Sequence, residues 1–169
     1  MEIKEFNANQ IISSGHEILH DIQVLKIYYQ VFKTRHADII PPAPVMRADL
    51  ISPQLEGDLL QKYQEFRNRN PQADYFLLDG SHKTTAADLC GLGCRVILVE
   101  TQQDIEDLRQ MEKTGDIFQF MLEDTIKENI ADLIGHFKEH SLFQTVREKT
   151  ERLANNRRIP EYMYSGYRR

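Results

Sequence analysis

Two short apolar runs, Tyr75-Phe76-Leu77-Leu78 and Arg95-Val96-Ile97-Leu98-Val99-Glu100, do most to limit what this chain can fold into. Both are too short for buried helices, and the second is rich in β-branched residues, so each reads as a buried strand. Asp79-Gly80 turns the chain out of the first. Between them Thr84–Leu89 has room for one tight helix, capped by Ser81 and closed by Gly91 or Gly93. A third extended segment, Pro44-Val45-Met46-Arg47-Ala48-Asp49-Leu50-Ile51, alternates apolar and polar residues and reads as a short strand.

The remainder is helical in pattern. Residues 16–37 place Ile18, Leu19, Ile22, Leu25, Tyr29 and Phe32 on one face, until Pro41, Pro42 and Pro44 forbid continuation. Glu56 to Arg69 carries Leu59, Leu60, Tyr63 and Phe66 at helical spacing. Helices are expected again over 102–113, Ile117 to His140 and Leu142 to Asn155, followed by a compact segment Ile159–Tyr164 that packs back. The class expected is α+β, with a small mixed sheet. Three regions follow: a helical extension over 1–43, a core over 44–105, and a helical C-terminal region over 106–169 packed on that core.

Composition agrees with a globular chain: 169 residues, 41% hydrophobic and 28% charged. With no apolar run long enough to span a bilayer and two glutamates in MEIKEFNANQ, no membrane partner is expected and the location reads as cytoplasmic. Cys90 and Cys94 form neither a disulfide framework nor a zinc site and read as reduced thiols. The net charge of −5 disfavours DNA as a partner. Its distribution is uneven: residues 100–143 hold 4 basic and 11 acidic residues, whereas 144–169 hold 7 and 3. The acidic stretch reads as a solvated face, and the basic tail remains the one feature in favour of DNA.

Chemistry concentrates in Leu78-Asp79-Gly80-Ser81-His82-Lys83-Thr84-Thr85-Ala86-Ala87. A buried strand delivers an acid, a turning glycine, and then hydroxyl, imidazole and ammonium groups at a helix start. Unpaired N–H groups and the positive end of the helix dipole make such a start an anion site, and phosphate is the anion expected. Ala86 and Ala87 let the helix lie close on the sheet. Taken singly, Ser81 as a cap and Asp79-Gly80 as a turn need no function.

This string, with its flanking strands, Gly91 and the upstream strand and helix, resembles the ParB/sulfiredoxin superfamily over roughly residues 44–105. In that family an extended segment ends in D-G-x-[HR]-[RK] and a short helix leads to a V-I-V-type strand. The resemblance implies a nucleotide-phosphate site formed by Gly80, Ser81, His82, Lys83 and Thr84. Sulfiredoxins carry a catalytic cysteine where this chain has Ser81, so reductase chemistry is not expected. ParB proteins carry G-E-R-R and a basic DNA reader, and both are missing in this string and in the acidic helices. The ParB-like free-serine kinases keep D-G-x-H-R, the pattern nearest to Asp79, Gly80, His82 and Lys83. That branch implies ATP or ADP as phosphoryl donor, Mg²⁺ held by Asp79, and a catalytic Glu56 acting with Asp79 on a small hydroxylated substrate. The alternatives it leaves are a non-catalytic nucleotide- or DNA-binding module and a ParB-like nuclease.

Overall fold

The computed structural model describes residues 3–13, 21–114 and 122–166. A six-stranded mixed sheet runs in the order β1-β5-β3-β4-β2-β6. Its strands are β1 (Ile3–Phe6), β2 (Ile11–Ser13), β3 (Ala43–Arg47), β4 (Tyr75–Leu77), β5 (Cys94–Leu98) and β6 (Gln144–Thr145). The two runs predicted as strands are β4 and β5, and β3 lies between them, antiparallel to β4 and parallel to β5. The protein is thus of the α+β class, as expected. Two strands at 3–13 and one at 144–145 add to what the sequence pattern shows, joining the same sheet through β1–β5, β2–β4 and β2–β6 pairing.

Helices cover both faces of the sheet, which explains why its strands read as continuous apolar runs rather than as alternation. Successive strand residues point to opposite faces. Ile11, Val45, Leu77, Val96 and Leu98 join one core with α1 (Ile22–Lys33), α4 (Ser81–Leu89), α7 (Val146–Asn155) and α8 (Glu161–Tyr164). Their neighbours Ile12, Met46, Phe76, Ile97 and Val99 join the other, beneath α2 (Ala48–Ile51), α3 (Gly57–Arg69), α5 (Gln102–Thr114) and α6 (Ile126–His140). Aromatic rings fill this second core: Phe137 and Phe143 stack at 4.3 Å, and Phe76 meets Phe137 edge-on at 5.5 Å. Among the described residues no helix is long and apolar enough to cross a membrane.

Several boundaries differ from expectation. The segment Pro44–Ile51 is not one strand: β3 ends at Arg47 and α2 begins at Ala48. Ala48 and Ile51 are both buried in the same core, a helical i, i+3 spacing that strand alternation could not satisfy. The segment Leu142 to Asn155 opens as β6, after which Thr145 caps α7 and forms a capping box with Glu148. Helix α1 starts after Asp21, whose side chain accepts from the Gln23 N–H at 2.7 Å, and the predicted 16–20 lie outside the described residues together with Ile18 and Leu19. Residues 117–121 of the helix expected from Ile117 also lie outside them, and α6 begins at Ile126 on the Thr125 cap. Ile159 and Met163 are buried, so the C-terminal segment packs back as expected, with Tyr162 edge-on to Tyr29.

Helix α4 begins earlier than predicted. Gly80, not Ser81, occupies the capping position, with φ +99°, and Ser81 is the first helical residue. Of the two glycines offered for its end, Gly91 serves: at φ +67° its N–H donates to Asp88 O at 2.9 Å while the Leu92 N–H donates to Ala87 O at 3.0 Å. That pair of bonds defines a Schellman closure. Gly93 instead lies against the Glu5 side chain, where any Cβ would collide.

Candidate functional site

Strand β4 hands the chain to α4 through Leu78, Asp79 and Gly80. The Leu78 N–H donates to Pro44 O at 3.0 Å, extending the sheet register one residue past β4. Asp79 Oδ1 then accepts the Gly80 N–H at 2.6 Å, and the Thr84 N–H closes the first helical turn on Gly80 O. Ala86 and Ala87 are fully buried, so α4 lies close on the sheet and its start is held fixed.

At that start three segments distant in sequence converge on one ammonium group. Lys149 of α7, 2% exposed, donates from Nζ to Ser81 Oγ at 2.6 Å and to Ser13 Oγ, at the end of β2, at 3.3 Å. Burial pushes the Lys149 ammonium down to about 8, and the nearby charge of Arg152 acts in the same direction. His82, half-buried beside Ser81, accepts the Asp21 N–H on Nε2 at 3.3 Å and so ties the start of α1 to the start of α4. A second link between α7 and α4 is the pair of Arg147 Nη2 with the buried Asp88 Oδ1 at 2.8 Å.

The residues expected to form a phosphate cradle divide into two groups. Gly80, Ser81 and His82 stand at the helix start with Lys149 and Ser13. Lys83 instead runs back beneath Gly80 and donates from Nζ to Pro41 O at 3.1 Å and Pro42 O at 3.4 Å. Its ammonium is buried, and burial lowers its pKa while the charge of Asp79 opposes the fall. Thr84 Oγ1 turns back on its own helix, donating to Gly80 O and Ser81 O. Glu56 caps α3 as an exposed residue. Because Val45 pairs with Leu77, Arg47, which leads on toward Glu56, sits at the end of β3 away from Asp79.

The fit to a protein-held Mg²⁺ is poor. One Asp79 oxygen is engaged by the Gly80 N–H, and among the described residues no three His, Cys, Asp or Glu side chains are grouped to hold a metal ion. Any Mg²⁺ in this site would enter with the phosphates it neutralises.

Sequence reasoning missed Lys149 and Ser13. A signal for the lysine exists: Val146, Lys149, Thr150 and Leu153 fall at i, i+3, i+4 and i+7, and all are buried. A lysine on the apolar stripe of an amphipathic helix is rarely buried without partners, so its position itself asks what it holds.

Fold and site together define a mixed α+β protein whose helix start is furnished with hydroxyl, imidazole and buried ammonium groups. Comparison of the chain with protein-family models, curated proteins and solved structures finds no match.

Proposed function

We propose that the chain binds the phosphates of a nucleotide such as ATP or ADP at the start of α4 and transfers a phosphoryl group to a small hydroxylated metabolite, free serine being the first to test. The observation that carries this reading is the convergence of Ser81 Oγ, Ser13 Oγ and the Lys149 ammonium at the positive end of a nine-residue helix. A transferring phosphoryl group spreads negative charge over its oxygens, and preorganised donors in a water-poor site stabilise that charge without reorganisation. Ser81 and His82 would contact the phosphate directly, while Lys149 supplies the cation that the resemblance to ParB-like kinases assigns to Lys83. Lys83 then serves the site by fixing the Pro41–Pro42 segment under the loop.

Calorimetric titration with ATP, ADP, CTP and pyrophosphate, with and without Mg²⁺ at low salt, tests the binding, and transfer to free serine tests the reaction. Wild type should bind at least one of these ligands, and Lys149→Met should lose that binding while remaining folded by circular dichroism. If none of the four binds, the reading falls. A salt-sensitive shift of labelled DNA in its place would favour a ParB-like DNA module or nuclease.

A further inference from the structure

We infer that Ser81 is a covalent nucleophile, that Lys149 receives its hydroxyl proton, and that the phosphoryl group rests on Ser81 Oγ before reaching its acceptor. This step depends on nucleotide phosphates entering the site as proposed above. A phosphate cradle needs donors around an anion; it does not need a serine hydroxyl locked at 2.6 Å onto an amine excluded from water. Such a pair, a hydroxyl and a base held in place by a third group, is the arrangement that activates a serine. Ser13 Oγ is that third group, at 3.3 Å from Nζ. Ser81 is half-buried, whereas Lys149 and Ser13 are buried, so of the three Ser81 is the residue most open to an incoming phosphate.

The neutral amine that the reaction requires is favoured by the surroundings. Burial of Lys149 acts first, and Arg152 on the same helix adds to it. The other charged groups on the elements packed about it are largely engaged elsewhere. Asp88 of α4 holds Arg147, Glu148 accepts the Thr145 N–H at 2.7 Å, and His82 accepts the Asp21 N–H.

In the first step Ser81 Oγ attacks the terminal phosphorus of the nucleotide. The Oγ–P bond forms, the bond from phosphorus to the bridging oxygen breaks with its electron pair going to the departing nucleotide, and the Oγ proton passes to Lys149 Nζ. The ammonium so formed lies beside the new phosphoserine dianion and offsets its charge. In the second step the acceptor hydroxyl attacks the phosphorus, Ser81 Oγ leaves and recovers its proton from Lys149, and the acceptor's proton goes to water.

The test incubates the full chain with Mg²⁺ and ATP or ADP in the absence of any hydroxylated acceptor, then reads intact mass and maps the modified peptide. A fluorophosphonate, which phosphonylates activated serines without a nucleotide, is applied in parallel. One phosphoryl group on the Ser81 peptide is expected, along with fluorophosphonate labelling at Ser81, and neither in Ser81→Ala. Lys149→Met, which keeps the side-chain length but offers no base, should slow fluorophosphonate labelling, which needs no nucleotide, by about a hundredfold or more, and should carry no phosphoryl group because nucleotide binding is lost with the ammonium. The wild-type labelling rate should rise about tenfold per pH unit up to the Lys149 transition near 8 and level off above it. Nucleotide binding by calorimetry with no phosphoryl on Ser81 overturns the covalent step and leaves the binding reading standing, whether or not the fluorophosphonate reacts. A labelling rate that does not rise with pH, or that survives in Lys149→Met, overturns the role of Lys149. Failure of every nucleotide to bind removes the binding reading and this step with it.

Discussion

Replacing Lys149 by methionine separates a buried lysine that titrates inside the fold from one that is merely present. The folded-state pKa is about 8 against an ordinary 10.5. At roughly 1.4 kcal/mol per unit, that gap corresponds to about 3 kcal/mol. The sign follows from proton counting. Below pH 8 both folded and unfolded chains hold the proton, and the fold bears the full cost of the buried ammonium. Between about 8 and 10.5 the unfolded chain binds more protons than the folded one, so stability rises with pH, and above that window the gain is complete. Lys149→Met has no such group. Urea unfolding of both proteins at pH 7, 8, 9 and 10 gives the difference in stability at each pH, in which tyrosines, cysteines and other lysines cancel. Wild type should gain on the variant by about 3 kcal/mol across the window. At pH 7 the variant should be no less stable than wild type, because exchanging a buried ion for an apolar side chain of similar length is commonly neutral or favourable. A difference that stays constant from pH 7 to 10 would show that the ammonium is solvated, and would remove the basis for treating it as a proton acceptor for Ser81.

Gly80→Ala should cost about 2 kcal/mol, because it combines a left-handed backbone at φ +99° with a Cβ only 3.0 Å from Lys83 Cε and 3.1 Å from Ala43 Cβ. Gly91→Ala, at φ +67° in open space, should lose about 1 kcal/mol, and urea midpoints that reverse this order would contradict the packing described under Gly80. Asp88→Ala should lose about 1–3 kcal/mol by removing the buried partner of Arg147, whose own side chain is one-third exposed. Asp49→Ala, which breaks the exposed Arg47–Asp49 pair, should change stability by under about 1 kcal/mol in the same assay. Burial pushes the Cys90 and Cys94 thiols up to about 11 and 12, so both should react slowly with a disulfide reagent at pH 8 and rapidly once urea unfolds the chain. Fast reaction of Cys94 in the native protein would contradict its burial.

The parts of the fold legible in the sequence are those whose signal is local. Cys94–Leu98 and Tyr75–Leu77 are apolar because helices cover both faces, and a run buried on two sides shows itself without partners. Strands β1, β2 and β6 span four, three and two residues, too few for any period to emerge. Their identity comes from pairing: Ile12 is a strand residue because it lies between Phe76 and Thr145. The start of α7 was legible in principle, since Thr145-x-x-Glu148 is a capping box, yet nothing local says that the residues before it join a sheet.

For the site, the loop was legible and its charge was not. Lys83 lies in the motif, but a helical side chain leans toward the N-terminus of its helix, and the missing Cβ of Gly80 leaves the space through which it passes. Its ammonium therefore arrives at the Pro41 and Pro42 carbonyls, below the loop rather than in front of it. The cation that meets Ser81 stands 68 residues further on, inside a segment whose surplus of basic residues looks like a solvated tail. Counting charge along the chain groups Lys149 with Arg157 and Arg158, which are exposed, although it alone of the three is buried against the helix start. What distinguishes it is its place on the apolar stripe of α7, a matter of helical phase rather than of charge. A site built this way depends on the docking of α7. Any substitution that loosens that helix from α4, Asp88→Ala above all, should weaken nucleotide binding as well as stability, without touching the loop that carries the motif.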